Sequence, residues 1–326
     1  MPAFQEFTFP SSTGKNTIYA RMCVSDGAPR AIVQIAHGIA EHIGRYEAFM
    51  QFLAENGFIA VGNDHLGHGK SAEKLEEAGI FSEENGWDYV VKDMAQLHAR
   101  MKEQYPDLPY VFFGHSMGSF LTRTYLILHP EDYDAAILSG TGHQSKALVN
   151  AGYLAANMTV KLQGPRASGQ KLNDMAFGSY CNKIENPRTP YDWLSRDPEV
   201  VDRYIADPKC GFVCKCSLYR DMMGGLRFLT SQANINRMNR EKPVYFMSGA
   251  ADPVGDYGKG VERAYQAFCR AGLHDVMIRL YPEGRHEMLN EMNKEAVMQD
   301  ILNWLNSKLP AADKARPAEA EPQAEI

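Results

Sequence analysis

The chain has 326 residues, 44% hydrophobic and 23% charged, enough to bury one large core or two modest ones. A formal charge of −6 and a pI near 5.9 argue against nucleic acid as the main partner and against electrostatic docking on an anionic membrane. The opening Met-Pro-Ala-Phe-Gln-Glu carries neither a basic nor an apolar leader, no window is apolar enough to span a bilayer, and scattered cysteines suit reduced thiols, so a cytoplasmic location is expected.

The first thirty residues alternate as a hairpin does, with strands over 4–9 and 17–24 about a Ser-Ser-Thr-Gly-Lys-Asn turn. Strands and helices then follow one another: strand 31–36, an amphipathic helix over 46–56 stopped at Gly57, strand 58–61, and a helix over 87–105 with apolar residues at helical spacing. Next come strand 110–113, helix 119–128 and strand 135–138. From Gly142 to about Asn236 the strand signals vanish and helical segments interleave with Gly and Pro breaks. Strand 244–247, helix 260–271, strand 276–281 and helix 294–309 close the pattern. Alternation of this kind predicts an α/β fold, a mostly parallel sheet with helices on both faces. The expected organisation is a core over 1–141, a helical cap inserted at 142–236 over the sheet's carboxyl edge, the rest of the core over 237–309, and a disordered Ala/Pro/Glu/Lys tail over 310–326.

Gly114-His115-Ser116-Met117-Gly118 stands between the strand 110–113 and the helix 119–128. A serine flanked by glycines two residues away, at a strand-to-helix junction, is the pattern of a nucleophile elbow. Such a serine needs a base, an orienting acid and two oxyanion donors. In the chain order Ser, acid, His, each on a loop directly after a strand, the candidates are Asp252 and His286, with Asp256 as the more distant acid. The oxyanion donors are the Met117 amide and, in the loop His37-Gly38-Ile39-Ala40, the Ile39 amide. His37 reads as a buried residue holding that loop, His98 and His129 as surface or boundary residues, and His274 as a solvated loop residue.

Two stretches tempt a metal reading. Asn63 to Gly69 lacks the histidine pair of an H-x-H-x-D-H site, so structural hydrogen bonds in a tight glycine loop are expected. Cys210, Cys214 and Cys216 lack C-x-x-C spacing and a fourth ligand, and read as small apolar residues of an inward-packed helix. No metal or other cofactor is expected.

The chain resembles the monoacylglycerol lipase and lysophospholipase branch of the serine α/β-hydrolases from about Phe4 to Leu309. The stretch 37–46 is similar to that branch's H-G-x-x-E-H-x-x-R-Y, 64–71 to its D-x-x-G-H-G-x-S loop, and 114–118 to its G-H-S-M-G; 286–291 resembles the stretch holding its catalytic histidine. Ala40 and Ser119 depart from the branch where glycine is common. The resemblance implies the triad Ser116, Asp252 and His286, with Ile39 and Met117 as oxyanion hole. It also implies Glu41, Arg45 and His115 at the alcohol end, although a Glu41–Arg45 pair four residues apart could equally be a loop staple. The implied activity is cofactor-free hydrolysis of a small lipid ester, most readily a monoacylglycerol. A lysophospholipase, a general carboxylesterase, a peptidase or acyltransferase and a non-catalytic binding relative are the rivals. The apolar stripe Leu148, Val149, Tyr153, Leu154, Met158 and Leu162 reads either as a face packed onto the core or as the wall of an acyl tunnel and a transient membrane contact.

Overall fold

The computed structural model describes residues 2–72 and 74–309. The expected hairpin is β1 (Phe4–Pro10) and β2 (Thr17–Cys23), paired Phe4 with Cys23 through Pro10 with Thr17. The remaining strands are β3 (Ala31–Ala36), β4 (Phe58–Asn63), β5 (Tyr110–His115), β6 (Ala135–Ser139), β7 (Val244–Gly249) and β8 (Val276–Tyr281). They form one eight-stranded sheet in the order β1-β2-β4-β3-β5-β6-β7-β8, antiparallel through β1, β2 and β4 and parallel from β4 to β8.

The central strands are buried on both faces, which explains why they read as unbroken apolar runs. Their side chains still alternate between two cores. On β5, Tyr110 and Phe112 enter one layer while Val111 and Phe113 enter the other. The first layer is closed by α2 (Gly86–Gln104), α3 (Met117–Leu128) and α9 (Lys259–Arg270); the second by α1 (Glu47–Glu55) and α10 (Lys294–Lys308).

Between β6 and β7 run α4 (Lys146–Gln163), α5 (Gln170–Phe177), α6 (Pro198–Ala206), α7 (Cys216–Leu229) and α8 (Gln232–Ile235), with no named strand among them. The apolar stripe of α4 divides between the two expectations: Val149 packs inward, and Leu148 and Val149 wall a cavity that reaches Ser116. Leu154, Met158 and Leu162 are 66%, 56% and 80% exposed, while the face turned inward carries Val149, Gly152 and Ala156. Small side chains let α4 lie close on α7, where Met223 reaches Gly152, so the bulky residues are left outside. Cys210, Cys214 and Cys216 are buried as expected, but only Cys216 is helical; the other two lie in the loop before α7. The expected disordered tail lies outside the described residues.

The crossing of α3 over the sheet leaves no room at Gly118, where an added Cβ would run into the backbone carbonyls of Ala36 and His37. Gly118→Ala is therefore expected to cost about 3 kcal/mol or more in urea unfolding. Gly27, which has open space and ordinary backbone, should take alanine with a change below roughly 0.5 kcal/mol.

Candidate active site

Four parallel strands end at one place. Ser116 follows β5, the loop 37–46 follows β3, Asp252 follows β7 and His286 follows β8. Ser116 has φ 53° and ψ −122°, a left-handed conformation that costs a serine about 1–3 kcal/mol. It is held there by its own N–H donating to Ser139 O (2.9 Å) and by glycines on both sides, since a Cβ at Gly114 would strike Gly118 and Ser119. The strain points Ser116 away from the sheet at the head of α3.

His286 and Asp252 are both essentially inaccessible, and His286 Nδ1 lies 3.0 Å from Asp252 Oδ2. Asp252 is itself fixed: Ser248 Oγ donates to Oδ2 (3.1 Å) and the Val254 N–H to Oδ1 (2.9 Å). With both carboxylate oxygens accepting, His286 carries its proton on Nδ1 and leaves Nε2 as a lone pair. Burial alone would lower the His286 pKa, but the Asp252 charge and hydrogen bond outweigh it and the net direction is upward. Asp256, the alternative acid, is instead paired to Arg263 at 3.0 Å. The imidazole is flanked by two rings, His115 at 4.6 Å and Trp193 at 5.0 Å between centroids. His115 is driven down to about 4 by burial and then by the neighbouring His286, so it stays neutral.

The loop after β3 is pinned at both ends of one residue. His37 Nε2 accepts from the His65 N–H (2.9 Å), which leaves the His37 proton on Nδ1 to donate to Gly38 O (2.8 Å). In a trans peptide the next N–H points opposite to that carbonyl, so His37 sets the direction of the Ile39 amide. On the other side the Gly38 N–H donates to Glu41 Oε1 (2.5 Å). Among the hydrogen bonds of the described residues, neither the Ile39 nor the Met117 amide has a partner.

Glu41 also accepts from Tyr46 Oη (2.8 Å) and from Arg45 Nη1 (2.6 Å). Arg45 then reaches across 242 positions to Glu287, which takes Nη1 at 2.7 Å and Nη2 at 2.6 Å. Burial would discharge Glu41, but Arg45, His115 and the hydrogen bonds hold its pKa below the ordinary value, and the two carboxylates raise Arg45 well above its own. The i,i+4 staple weighed from sequence is thus present, and Glu41, Glu287 and His115 also line a cavity with Ser116 and His286. Glu287 and Trp193 went unnoticed in the sequence; an acid immediately after the candidate base was the available signal for the first.

Ser116 stands where two cavities meet. One, about 280 Å³, has Glu41, His115, Asn173, Tyr191 and Glu287 among its polar lining. The other, about 360 Å³, is walled by Phe120, Leu148, Leu172, Met175, Met222 and Leu226. Ile39, Phe177 and Tyr219 line both.

His42, Asp207 and Cys210 bring ligand-type atoms within 4.8 Å of one another. Their chemistry suits hydrogen bonding better than a cation. His42 Nδ1 accepts from the Gly44 N–H, so Nε2 bears the proton it shares with Asp207 Oδ2 at 2.9 Å, and burial pushes the Cys210 thiol up. In the Asn63–Gly69 loop His68 Nδ1 meets Leu66 O, and Asp64 accepts from Ile43 N and Lys70 N outside it, while the buried ring nitrogens of His65 have no hydrogen-bond partner among the described residues.

Residues 27–293 match the family described as serine aminopeptidase, S33. The chain is 28% identical over 308 residues to the monoacylglycerol lipase of Mycolicibacterium smegmatis, covering 93% of this chain and 98% of that one. It is 26% identical over 304 residues to the monoglyceride lipase of Homo sapiens, covering 92% and 90%. A thermostable carboxyl esterase from Bacillus coagulans, solved in complex with glycerol, superposes with a TM-score of 0.87 at 31% identity over 94% of this chain and 99% of that one.

The Arg45 bridge generates a stability test. Arg45→Met leaves two buried carboxylates without their cation and is expected to destabilise the fold by about 3–5 kcal/mol in urea unfolding. Arg45→Lys, a point charge in place of a fork, should recover only part of that loss.

Proposed function

The chain belongs to the serine aminopeptidase S33 family of α/β-hydrolase fold, and from that premise we propose that it is a serine carboxylic ester hydrolase cleaving lipid-like monoesters, foremost monoacylglycerols. The observation that carries this reading is the position of Ser116 at the junction of an apolar cavity and one of mixed lining that contains Glu41, His115, Asn173 and Glu287. An acyl chain would occupy the first, where each buried CH₂ contributes about 0.8 kcal/mol, and a small polyol the second. The family is named for aminopeptidases, whose substrates share a free α-ammonium, and the apolar cavity has no carboxylate to hold one. The relatives named lipases and a carboxyl esterase point the same way.

In the proposed mechanism Nε2 of His286 takes the proton of Ser116 Oγ as it attacks the ester carbonyl. Asp252 keeps the imidazole in the required tautomer and stabilises the imidazolium. The Ile39 and Met117 amides receive the oxyanion, a term worth roughly 3–4 kcal/mol per donor in comparable sites. His286 then protonates the departing alcohol, and water on the same path frees the carboxylic acid. Glu41, Arg45 and His115 shape the alcohol pocket, with Glu41 also holding Gly38. The segment 142–236 acts as the cap over this site. No helix among the described residues is long and apolar enough to cross a membrane. The exposed Leu154, Met158 and Leu162 on α4 are suited to transient contact with a lipid surface from a cytoplasmic location.

Ser116→Ala is expected to lower kcat by a factor on the order of 10⁴ or more with the fold intact, and a fluorophosphonate should label wild type at this serine alone. Retained turnover or labelling elsewhere would refute the assignment. Because His286 must be neutral to act as base and its pKa is raised, the acid limb of kcat/KM should fall above pH 6.5, with activity lost as pH drops through it. Asp252→Asn should be severely impaired and Asp256→Asn mildly.

The cavities make a further test. Met222→Trp should cut kcat/KM for long-chain esters at least tenfold while sparing short ones, and Leu154→Trp should leave soluble esters of any length unchanged. Equal losses on short and long esters in Met222→Trp would remove the apolar cavity from the acyl path.

A further inference from the structure

A separate depression of about 660 Å³ lies where the start of α4 meets α9. Its charged lining is Lys146, Arg263 and Arg270, and no carboxylate lines it. Arg263, Gln266 and Arg270 recur at intervals of three and four on α9, which places them on one helical face. Asp256 stands nearby, but it engages only one Arg263 nitrogen (3.0 Å), while Arg263 Nε donates to His143 O (2.8 Å).

Behind the wall is a second anomaly. Arg123 is 1% exposed, its Nη1 donates to Gly142 O (2.8 Å), its Nη2 lies 3.3 Å from His143 Nδ1, and its Nε has no partner. Burial lowers this guanidinium to about 10, and no carboxylate acts on it. Arg123, Arg263 and Arg270 all press on His143, which lines the depression and is pushed down to about 4 by burial and then by those charges. A chain of net charge −6 thus lines one hollow with three cations, one of them paired to Asp256, and buries Arg123 behind His143. A buried, unpaired arginine is unfavourable unless something supplies the opposite charge.

We propose that this depression binds a phosphate-bearing ligand, either a free phosphomonoester or the headgroup of an anionic lipid, held by Lys146, Arg263 and Arg270. Phosphate suits the site better than carboxylate because its several acceptor oxygens can meet donors arriving from two different elements at once. Ser145 adds a hydroxyl at the rim, whereas Thr230 Oγ1 and Gln232 Nε2 line the hollow but already donate to Arg227 O and to Asn236 Oδ1 and Ala267 O. Either source can reach it, since Lys146 opens the helix whose apolar residues face solvent. Gln144 lines both this depression and the apolar cavity at Ser116, so a ligand here would steady the entry to α4 beside that cavity. The proposal does not depend on the ester-hydrolase reading.

The test uses the full chain and the variant Lys146→Gln/Arg270→Gln, whose changed residues line neither cavity at Ser116. Calorimetry with inorganic phosphate and glycerol 3-phosphate is run beside flotation with phosphatidylglycerol and phosphatidylcholine vesicles. The expected result is saturable binding of one phosphate compound per chain, or selective flotation with phosphatidylglycerol, weakened at least tenfold in the double variant. Hydrolysis of a short soluble ester should be unchanged in that variant. Free compounds binding assigns a small-molecule site; flotation alone assigns a lipid headgroup. Absence of both, or equal binding by the double variant, overturns the proposal.

Discussion

The close crossing of α3 on the sheet is the constraint from which the site follows. Gly118 packs against the carbonyl of Ala36, and Gly114 packs against the first turn of α3, so the link between β5 and α3 has almost no length to use. Ser116 absorbs the change of direction with a positive φ, a conformation unfavourable for serine that the surrounding packing enforces. The same crossing brings the end of β3, and with it the loop 37–46, against the head of α3, where Gly38 lies beside Ser116 Cβ. Ser116 and the Ile39 and Met117 amides, the proposed nucleophile and oxyanion donors, are thus placed by backbone packing.

A second level of order comes from charge. Arg45 joins the loop after β3 to the loop after β8 through Glu41 and Glu287, so the segment holding Ile39 and the segment holding His286 are tied by one guanidinium. The His286 loop is tied in turn to the helical insertion. His286 N donates to Trp193 O, Glu287 N to Leu194 O, and Arg285 Nη1 to Asp192 O and Ser195 O. Residues 192–196 of the insertion are therefore fixed to the loop that carries His286. α4 is held to α7 by Met223 packed on Gly152, by Arg227 Nε donating to Asn150 Oδ1 (2.9 Å) and by the same guanidinium over the Tyr153 ring (4.4 Å).

Much of this was legible in the residues because local rules and tertiary demands coincide. A buried parallel strand such as Ala31–Ala36 must be a short apolar run, and its bounds were read directly; the edge strand Val276–Tyr281 was read with the right bounds too, although only its Tyr281 is buried. Asp252 and His286 could be paired from sequence because each stands on a loop directly after a strand, and the structure joins them by a hydrogen bond. The unread features depend on partners distant in sequence. Arg45 shows its i,i+4 acid but not Glu287, and the role of His37 rests on a tautomer set by the His65 amide. The stripe on α4 could be read only in part, because apolar residues occupy more than one face of that helix and close approach to α7 decides which of them turn inward. Arg123 lies in an otherwise apolar helix pattern whose burial only the fold reveals.

The central claim is that chemistry passes through a covalent ester on Ser116. Its most direct test is acid-quenched peptide mass spectrometry of wild-type protein mixed with a slowly deacylating aryl ester, alongside the burst of released phenol. The account predicts a burst stoichiometric with protein and one acyl adduct, on the peptide containing Ser116, that decays at the steady-state rate. Turnover without an adduct, or an adduct on another residue, would contradict it.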